Sequence, residues 1–424
     1  MAEEKAPLTT IDQAELDKII ARHEAFRMGR SNGARAQLAH YDLSRLNFAN
    51  HDLSHADFTG SVLYEANLEK AKLDYCLFYA CDLRKANFRN SSLLRTDLRG
   101  ACLRGASMAG ADLTGADLRE GTFATFDPEK GLSFISDGEA WVGGPGGVDM
   151  RGANLGSTKM SGAVAINSNF EDANLSKSVI THGDLRGANL TNANLSGADL
   201  SHCELRDVNL RNANLAGALM DFSNLVNVDM TGALTDKPSG HTTEKLPLSL
   251  EELIKLHQLW LKTKGAEGQR LDLSGHDMRR APSLRGSDLT MLTAEKSVWY
   301  GLDLTQVNLQ ASRLKESDFR NCNFSGADLR GSIFESCNMV GAKFTRARLE
   351  PLLLENSGRL LKTSFSKANL RYSDFGSASC YDTDFSGADL SYANYAGANV
   401  YGADFTKANL HEATLKIPAE KDKQ

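Results

Sequence analysis

The chain has no stretch approaching the ~20 consecutive apolar residues of a membrane span, and its opening residues, MAEEKAPLTT, lack an apolar core. Both absences point to a cytoplasmic protein that does not enter a bilayer. Neither sign of charge dominates, since 48 lysines and arginines against 54 aspartates and glutamates leave a formal net charge of −6. That balance argues against a nucleic-acid binder driven by charge and against a heavily acidic decoy. The seven cysteines show no paired spacing, so neither a zinc site nor a redox pair is written into the sequence. The ten histidines include no His-x-x-x-His. Gly143-Gly144-Pro145-Gly146-Gly147 lacks the Lys-Ser/Thr of a phosphate loop and reads as a flexible loop base. No catalytic residue, metal or cofactor is expected.

What is present is a strict rhythm. From Leu38 a large apolar residue falls on every fifth position, through Leu43, Phe48, Leu53 and Phe58 to Leu118 and Phe123. A period of five fits neither an α-helix nor a flat strand, so the chain must close into a coil whose sides are one repeat long. Two residues before each large residue sits a small one, such as Ala36, Ala56, Ser61, Cys76, Cys81 or Ala86. This alternation suits a narrow shaft filled to protein density. Cys203, Cys322 and Cys337 take the same slot and read as reduced thiols serving as small hydrophobes. Between small and large lies Asp or Asn (Asp42, Asn47, Asp52, Asp57), the residue types that best hydrogen-bond a turning backbone. Any apparent carboxylate pair is therefore periodicity before it is an acid–base dyad.

The motif Ala-(Asp/Asn)-(Leu/Phe)-x-x, as in ADLTG followed by ADLRE, resembles the pentapeptide-repeat family over most of the chain. The resemblance implies a mainly β fold, a right-handed quadrilateral β-helix with one pentapeptide per side and four per coil. Some members of that family resemble a DNA duplex in size and charge and modulate type II topoisomerases.

The rhythm comes in two segments, each preceded by a short capping helix. Residues 1–35 hold an N-terminal tail and a helix with Leu16, Ile19, Ile20, His23 and Phe26 on one face, and a capping pair in Asp12 and Glu15. Residues 36–235 form the first solenoid, interrupted by an insertion loop at 124–147, after which the fivefold rhythm returns at Met150 with Ala165 undersized. Residues 236–248 read as a linker. A second capping helix at 249–270 repeats the first, with Leu250, Leu253, Ile254, His257 and Trp260 on its face and a capping box in Ser249 and Glu252. Its solenoid spans 271–416, with a register shift at Pro282, irregular Ala294 and Trp299, a run to Leu354 and one extra residue around Pro351–Leu361. Residues 417–424 read as a disordered tail. The halves look like an internal duplication. About 15 coils stacked ~4.8 Å apart imply roughly 70 Å of shaft.

Helices at the open first coils would cover unpaired backbone and apolar ends, with His23 and His257 hydrogen-bonded to the coil beneath. His51 and His276 fall in the small slot near each solenoid start. Residues twenty apart lie above one another, which pairs Tyr372 with Tyr392, Tyr381 with Tyr401, and the arginines Arg84 with Arg104, Arg99 with Arg119 and Arg186 with Arg206. The arginines read as solvated faces beside turn aspartates. The tyrosines, with Phe126, Phe134 and Trp141 of the insertion, are the candidate partner-binding residues. The expectation is a non-enzymatic scaffold for a protein partner, without direct nucleic-acid or membrane binding. The alternative drawn from the resemblance is a DNA-mimicking modulator of a type II topoisomerase such as gyrase.

Overall fold

In the computed structural model, which describes residues 8–119, 124–127, 131–134, 147–354 and 358–415, every side of the coil is built alike. The first turn shows the pattern. Leu38 N–H donates to Asp57 O at 2.7 Å and Asp57 N–H donates to Ala36 O at 3.1 Å. Parallel bridges run Asp42, Val62, Asp82, Cys102, with each step twenty residues long. Four pentapeptides therefore complete one turn, and the chain forms a β-helix. Each corner is made by a residue in the left-handed region, as at His40, Arg45 and Asn50 with φ of 63°, 62° and 64°. That conformation costs a non-glycine residue about 1–2 kcal/mol. The corner N–H offsets part of it by bonding to the next coil, as His40 N–H does to Thr59 O at 2.9 Å.

The large residues point inward. Phe48, Phe58, Phe78 and Leu83 are fully buried, and Phe58 stacks on Phe78 at 4.7 Å and 5°. Each contributes about 1.5–3 kcal/mol by transfer from water. The small slot also carries a polar device. Cys81 Sγ donates to Phe58 O at 2.9 Å, and Cys322 and Cys337 make the same bond to Trp299 O and Leu314 O. Burial pushes the Cys203 thiol up to about 11, which removes thiolate chemistry at neutral pH.

The chain divides into two compact units, Met1–Lys237 and Pro238–Gln424. In the first, β1 (Thr9–Thr10) pairs in parallel with β2 (Tyr41–Asp42), and α1 (Gln13–Arg27) follows β1 behind a capping box of Asp12 and Glu15. The open edge of the first coil is thus closed group by group. The Gln13 amide both donates to Asn47 O (3.0 Å) and accepts from Asn47 N–H (2.8 Å), as a strand residue would. Leu16, Ile20 and His23 are buried beneath α1, whereas Phe26 is 45 % exposed and stands outside the apolar face assigned to it.

The rhythm survives the insertion. Ser107 bridges Asp149, Asp112 bridges Asn154 and Asp117 bridges Lys159, each forty-two residues apart, so twenty-two residues leave and return within one turn. Within that excursion β3 (Ala124–Asp127) and β4 (Gly131–Phe134) form an antiparallel hairpin. Phe123, the last position of the first run, lies outside the described residues.

In the second unit, β5 (His241–Thr242) pairs with β6 (His276–Asp277), and α2 (Leu250–Lys262) starts at a capping box of Ser249 and Glu252. The stretch 236–248, read above as a linker, therefore contains a strand of the second cap. The residue added at Pro282 appears as bridges of twenty-one, Asp272 to Thr293 and Asp277 to Val298. Trp299 is buried with its indole N–H on Ser297 Oγ at 2.6 Å, and the undersized Ala294 is buried one side before it.

One sequence expectation is corrected here. The segment around Pro351–Leu361 is a hairpin, β7 (Leu352–Leu354) and β8 (Arg359–Leu361), inserted between bridges thirty-one residues apart such as Ile333 to Ser364. Leu354 pairs with Arg359 in that hairpin and is not a shaft residue, so the inward run ends at Leu349. Cross-strand partners Leu353 and Leu360 are 56 % and 58 % exposed. Central residues of the last coils, Leu225 among them, are also partly exposed, because no further coil of their unit stacks on them.

Candidate interaction surface

The turn slot organises the outside of the β-helix. Asn174 Oδ1 accepts the Ser176 N–H at 3.2 Å, and its Nδ2 donates to Asn154 Oδ1 one coil back at 2.8 Å. Asn194 and Asn214 continue the ladder at 3.1 and 3.2 Å. Asn serves here because it both accepts and donates. Where Asp replaces it, the residue two positions on supplies the donors, a hydroxyl at Ser44, Ser54 and Thr114 and a guanidinium at several repeats. Arg84, Arg99, Arg119 and Arg186 each fork onto the aspartate of their own repeat, with Nε to Oδ1 at 2.8–2.9 Å. The Arg119 fork holds the Asp117 carboxyl below the ordinary range, and against its burial the same fork from Arg151 does so for Asp149. Arg84, Arg99, Arg119 and Arg186 are thus charge-paired within their own repeats, whereas Arg104 and Arg206, stacked one coil from Arg84 and Arg186, follow Cys102 and Glu204 in the turn slot.

Of the candidate residues, Tyr372 and Tyr392 occupy corners with φ of 56° and 62° and stack at 4.8 Å and 2°, with His411 edge-on to Tyr392 at 5.5 Å. They are half-buried. Tyr381 and Tyr401 also lie in turns, each directly before the left-handed residue of its corner, Asp382 or Gly402, and are 37 % and 74 % exposed. The side at Asp374–Gly376 separates the two tyrosine pairs along the chain, so they form two surfaces rather than one. Phe126 and Phe134 belong to β3 and β4, for which only the backbone is described, and Trp141 lies outside the described residues.

Sequence reasoning missed an aromatic corner in the first unit. His182 stacks on His202 at 4.8 Å, and His202 stacks on Phe222 at 5.1 Å, with Phe222 85 % exposed. The same spacing of twenty that flagged the tyrosines marks it. A second such pair is His55 on Tyr75 at 5.0 Å. His51 and His276 prove to be parts of the caps, with His51 Nδ1 at 2.8 Å from Glu24 Oε1 of α1 and His276 beside His241 of β5.

Among the described residues no group of three or more His, Cys, Asp or Glu could hold a metal ion, and no helix is long and apolar enough to cross a membrane. Fold and surface together define a β-helical repeat protein whose polar groups serve its own turns. The chain belongs to the pentapeptide-repeat family, whose profile, described as pentapeptide repeats, matches in eight copies at residues 36–78, 81–119, 146–181, 168–207, 203–233, 303–339, 312–350 and 383–416. Among solved structures, it is similar to Rfr23, a pentapeptide repeat protein of the cyanobacterium Cyanothece 51142, at 29 % identity over 31 % of this chain and 88 % of that one, TM-score 0.25. QnrB1, a plasmid-mediated fluoroquinolone resistance protein, shares 23 % over 46 % of this chain and 78 % of its own, TM-score 0.25. HetL of Nostoc sp. strain PCC 7120, involved in heterocyst differentiation regulation, shares 20 % over 93 % and 92 %, TM-score 0.13. No curated protein matches the chain.

Proposed function

We propose that this protein is a non-enzymatic scaffold, a right-handed four-sided β-helix in two segments, whose outer sides dock a protein partner. One observation carries the reading. Turn carboxylates, amides and arginines are hydrogen-bonded within the chain, while Tyr381, Tyr401 and the hairpin leucines Leu353 and Leu360 stand exposed. Surfaces of this kind bind through aromatic and apolar anchors rather than through converging catalytic groups. Tyr381 and the hairpin follow the same side of the coil in succession, since Arg348 bridges Ser379 directly across the β7–β8 excursion.

The test is quantitative cross-linking and capture with wild type and a Tyr381→Ala/Tyr401→Ala variant of unchanged circular dichroism. A loss of about tenfold in recovery of a specific partner is expected from truncating two anchors. Equal recovery from both proteins overturns this surface. The topoisomerase reading is not favoured, because paired arginines and aspartates do not make a uniformly acidic rod. Protection or inhibition of gyrase supercoiling at micromolar protein would restore it.

A further inference from the structure

The C-terminal end of α1 borders a surface that capping does not require. Phe26, one residue before the end of the helix, stands exposed, and so does Tyr75, whose ring stacks on His55 one coil back at 5.0 Å and 5°. Together with Arg27, Arg35 and Leu77, these three rings line one open groove of about 440 Å³. Its two cations are engaged differently. Arg27 Nε lies 3.8 Å from Asp52 Oδ2. Arg35 Nε donates to His55 O, and among the described residues its two terminal nitrogens have no hydrogen-bond or ion-pair partner.

The second unit separates what belongs to the cap from what does not. Gln37 bridges Asp57 and Asp57 bridges Leu77, just as Asp272 bridges Thr293 and Thr293 bridges Arg313. In that register Arg270 answers to Arg35, Met291 to His55, Ala311 to Tyr75 and Arg313 to Leu77. Arg270 keeps the bond to the coil, its Nε donating to Met291 O at 2.8 Å. Met291 and Ala311 hold the same left-handed corners, with φ of 61° and 53°, but bring no ring, and Arg313 is ion-paired with Glu295. The arginine is thus a cap residue, and the aromatic corner is particular to the first unit.

We infer that this groove is a binding site for a small planar aromatic carboxylate, its ring against those of His55, Tyr75 and Phe26 and its carboxylate on the Arg35 guanidinium. The exposed rings supply stacking and edge contacts to a flat apolar body. The two terminal nitrogens of Arg35 match the two oxygens of a carboxylate through parallel N–H bonds. A phosphate dianion calls for a second unpaired cation, and Arg27 is already turned to Asp52. No acidic residue is among those lining the groove, and its volume falls within the ~300–1,000 Å³ of small-molecule sites. The site does not depend on the scaffold reading and lies in the other unit from Tyr381 and Tyr401.

The experiment is calorimetric titration of the full chain with 2-naphthoate, alongside 2-naphthamide, which lacks the charge, and cyclohexanecarboxylate, which lacks the aromatic face. Wild type is expected to bind one 2-naphthoate per chain and each control about tenfold more weakly. His55→Met/Tyr75→Ala copies the corners of the second unit, so the fold is kept, and it should weaken 2-naphthoate binding about tenfold. Arg35→Gln should erase the preference for 2-naphthoate over 2-naphthamide. Should that variant fail to fold, raising salt from about 0.05 to 0.5 M on wild type should weaken the naphthoate and leave the amide unchanged. Absence of 2-naphthoate binding at millimolar concentration, equal binding by the folded double variant, or tighter binding of 2-naphthyl phosphate than of 2-naphthoate overturns the proposal.

Discussion

His23 Nδ1 accepts the backbone N–H of Ala36 at 2.9 Å, and the ring is fully buried between α1 and the first coil. Its Nε2 faces Ser54 O at 3.2 Å. His257 repeats the arrangement with Leu271 N–H at 3.0 Å and Thr290 O at 2.9 Å. A ring that accepts at Nδ1 and donates at Nε2 is neutral, and both caps require that tautomer.

Acid should therefore loosen the caps. Burial holds both histidines below the ordinary range, against the raising effect of the backbone carbonyls and of Asp52 and Asp288. In the unfolded chain they take up protons near pH ~6.5. Their contribution is complete above that pH and falls as pH drops below it, by up to about 1.4 kcal/mol per pH unit for each. Urea melts from pH 8 to 5 should show this loss in wild type. A His23→Gln/His257→Gln variant should start less stable and decline less between pH 6.5 and 5, and a flat wild-type profile contradicts the account.

The same Asp-x-Arg fork should be worth different amounts at different depths. Arg320 is 3 % exposed, forks onto Asp318 with Nε to Oδ1 at 2.8 Å, and lies 5.1 Å from the Tyr300 ring centroid. Asp318→Ala removes the facing carboxylate from that buried guanidinium and should cost about 3–5 kcal/mol. Asp117→Ala leaves Arg119, which is 45 % exposed, and the ion pair lost there is worth less than about 1 kcal/mol. Equal losses in denaturant melts would refute the dependence on burial.

The asparagine ladder predicts a charge-dependent defect. Asn174→Asp removes the donor to Asn154 Oδ1 and sets a carboxylate against it, at a cost of about 1–2 kcal/mol at neutral pH. The facing oxygen raises the pKa of the new carboxyl in the folded state, so the defect is present above that pKa and fades as pH falls through it. Melts of the variant and wild type at pH 7 and pH 4 check this, and a pH-independent difference sinks it.

Tyr395 sits in the shaft at 4 % exposure, stacked on Phe375 at 4.7 Å, and its hydroxyl has no hydrogen-bond partner among the described residues. The two preceding coils carry Phe375 and Phe344 at the equivalent position, so Tyr395→Phe should stabilise the protein by about 1 kcal/mol by removing a buried unsatisfied group. Calorimetry decides it, with a lowered melting temperature as the contrary result.

Much of the fold is legible residue by residue. Leu83, Ala86 and Asp82 declare centre, small slot and turn slot because a closed side of five leaves each position a single environment. The β7–β8 hairpin was not legible, since Leu352, Leu353 and Leu354 look like continuing shaft and Leu354 falls on the fifth position. Only the bridges of thirty-one residues, from Ile333–Ser364 to Arg348–Ser379, show that the chain leaves and returns. Of the surface, the stack of Tyr372 on Tyr392 follows from the spacing of twenty. The unequal exposure of Tyr381 and Tyr401 does not, because it depends on how many coils follow.

The sequence by itself determined the period, the inward and outward residues, the duplicated caps and the family. These depend on local hydrogen-bonding and packing rules that repeat every five residues. The tertiary structure alone decided how the caps close the open edge, where the chain leaves the shaft and returns, and which aromatic corners meet solvent. Each of those depends on what lies one coil away, and insertions of twenty-two and eleven residues separate that neighbour from its expected place in the chain.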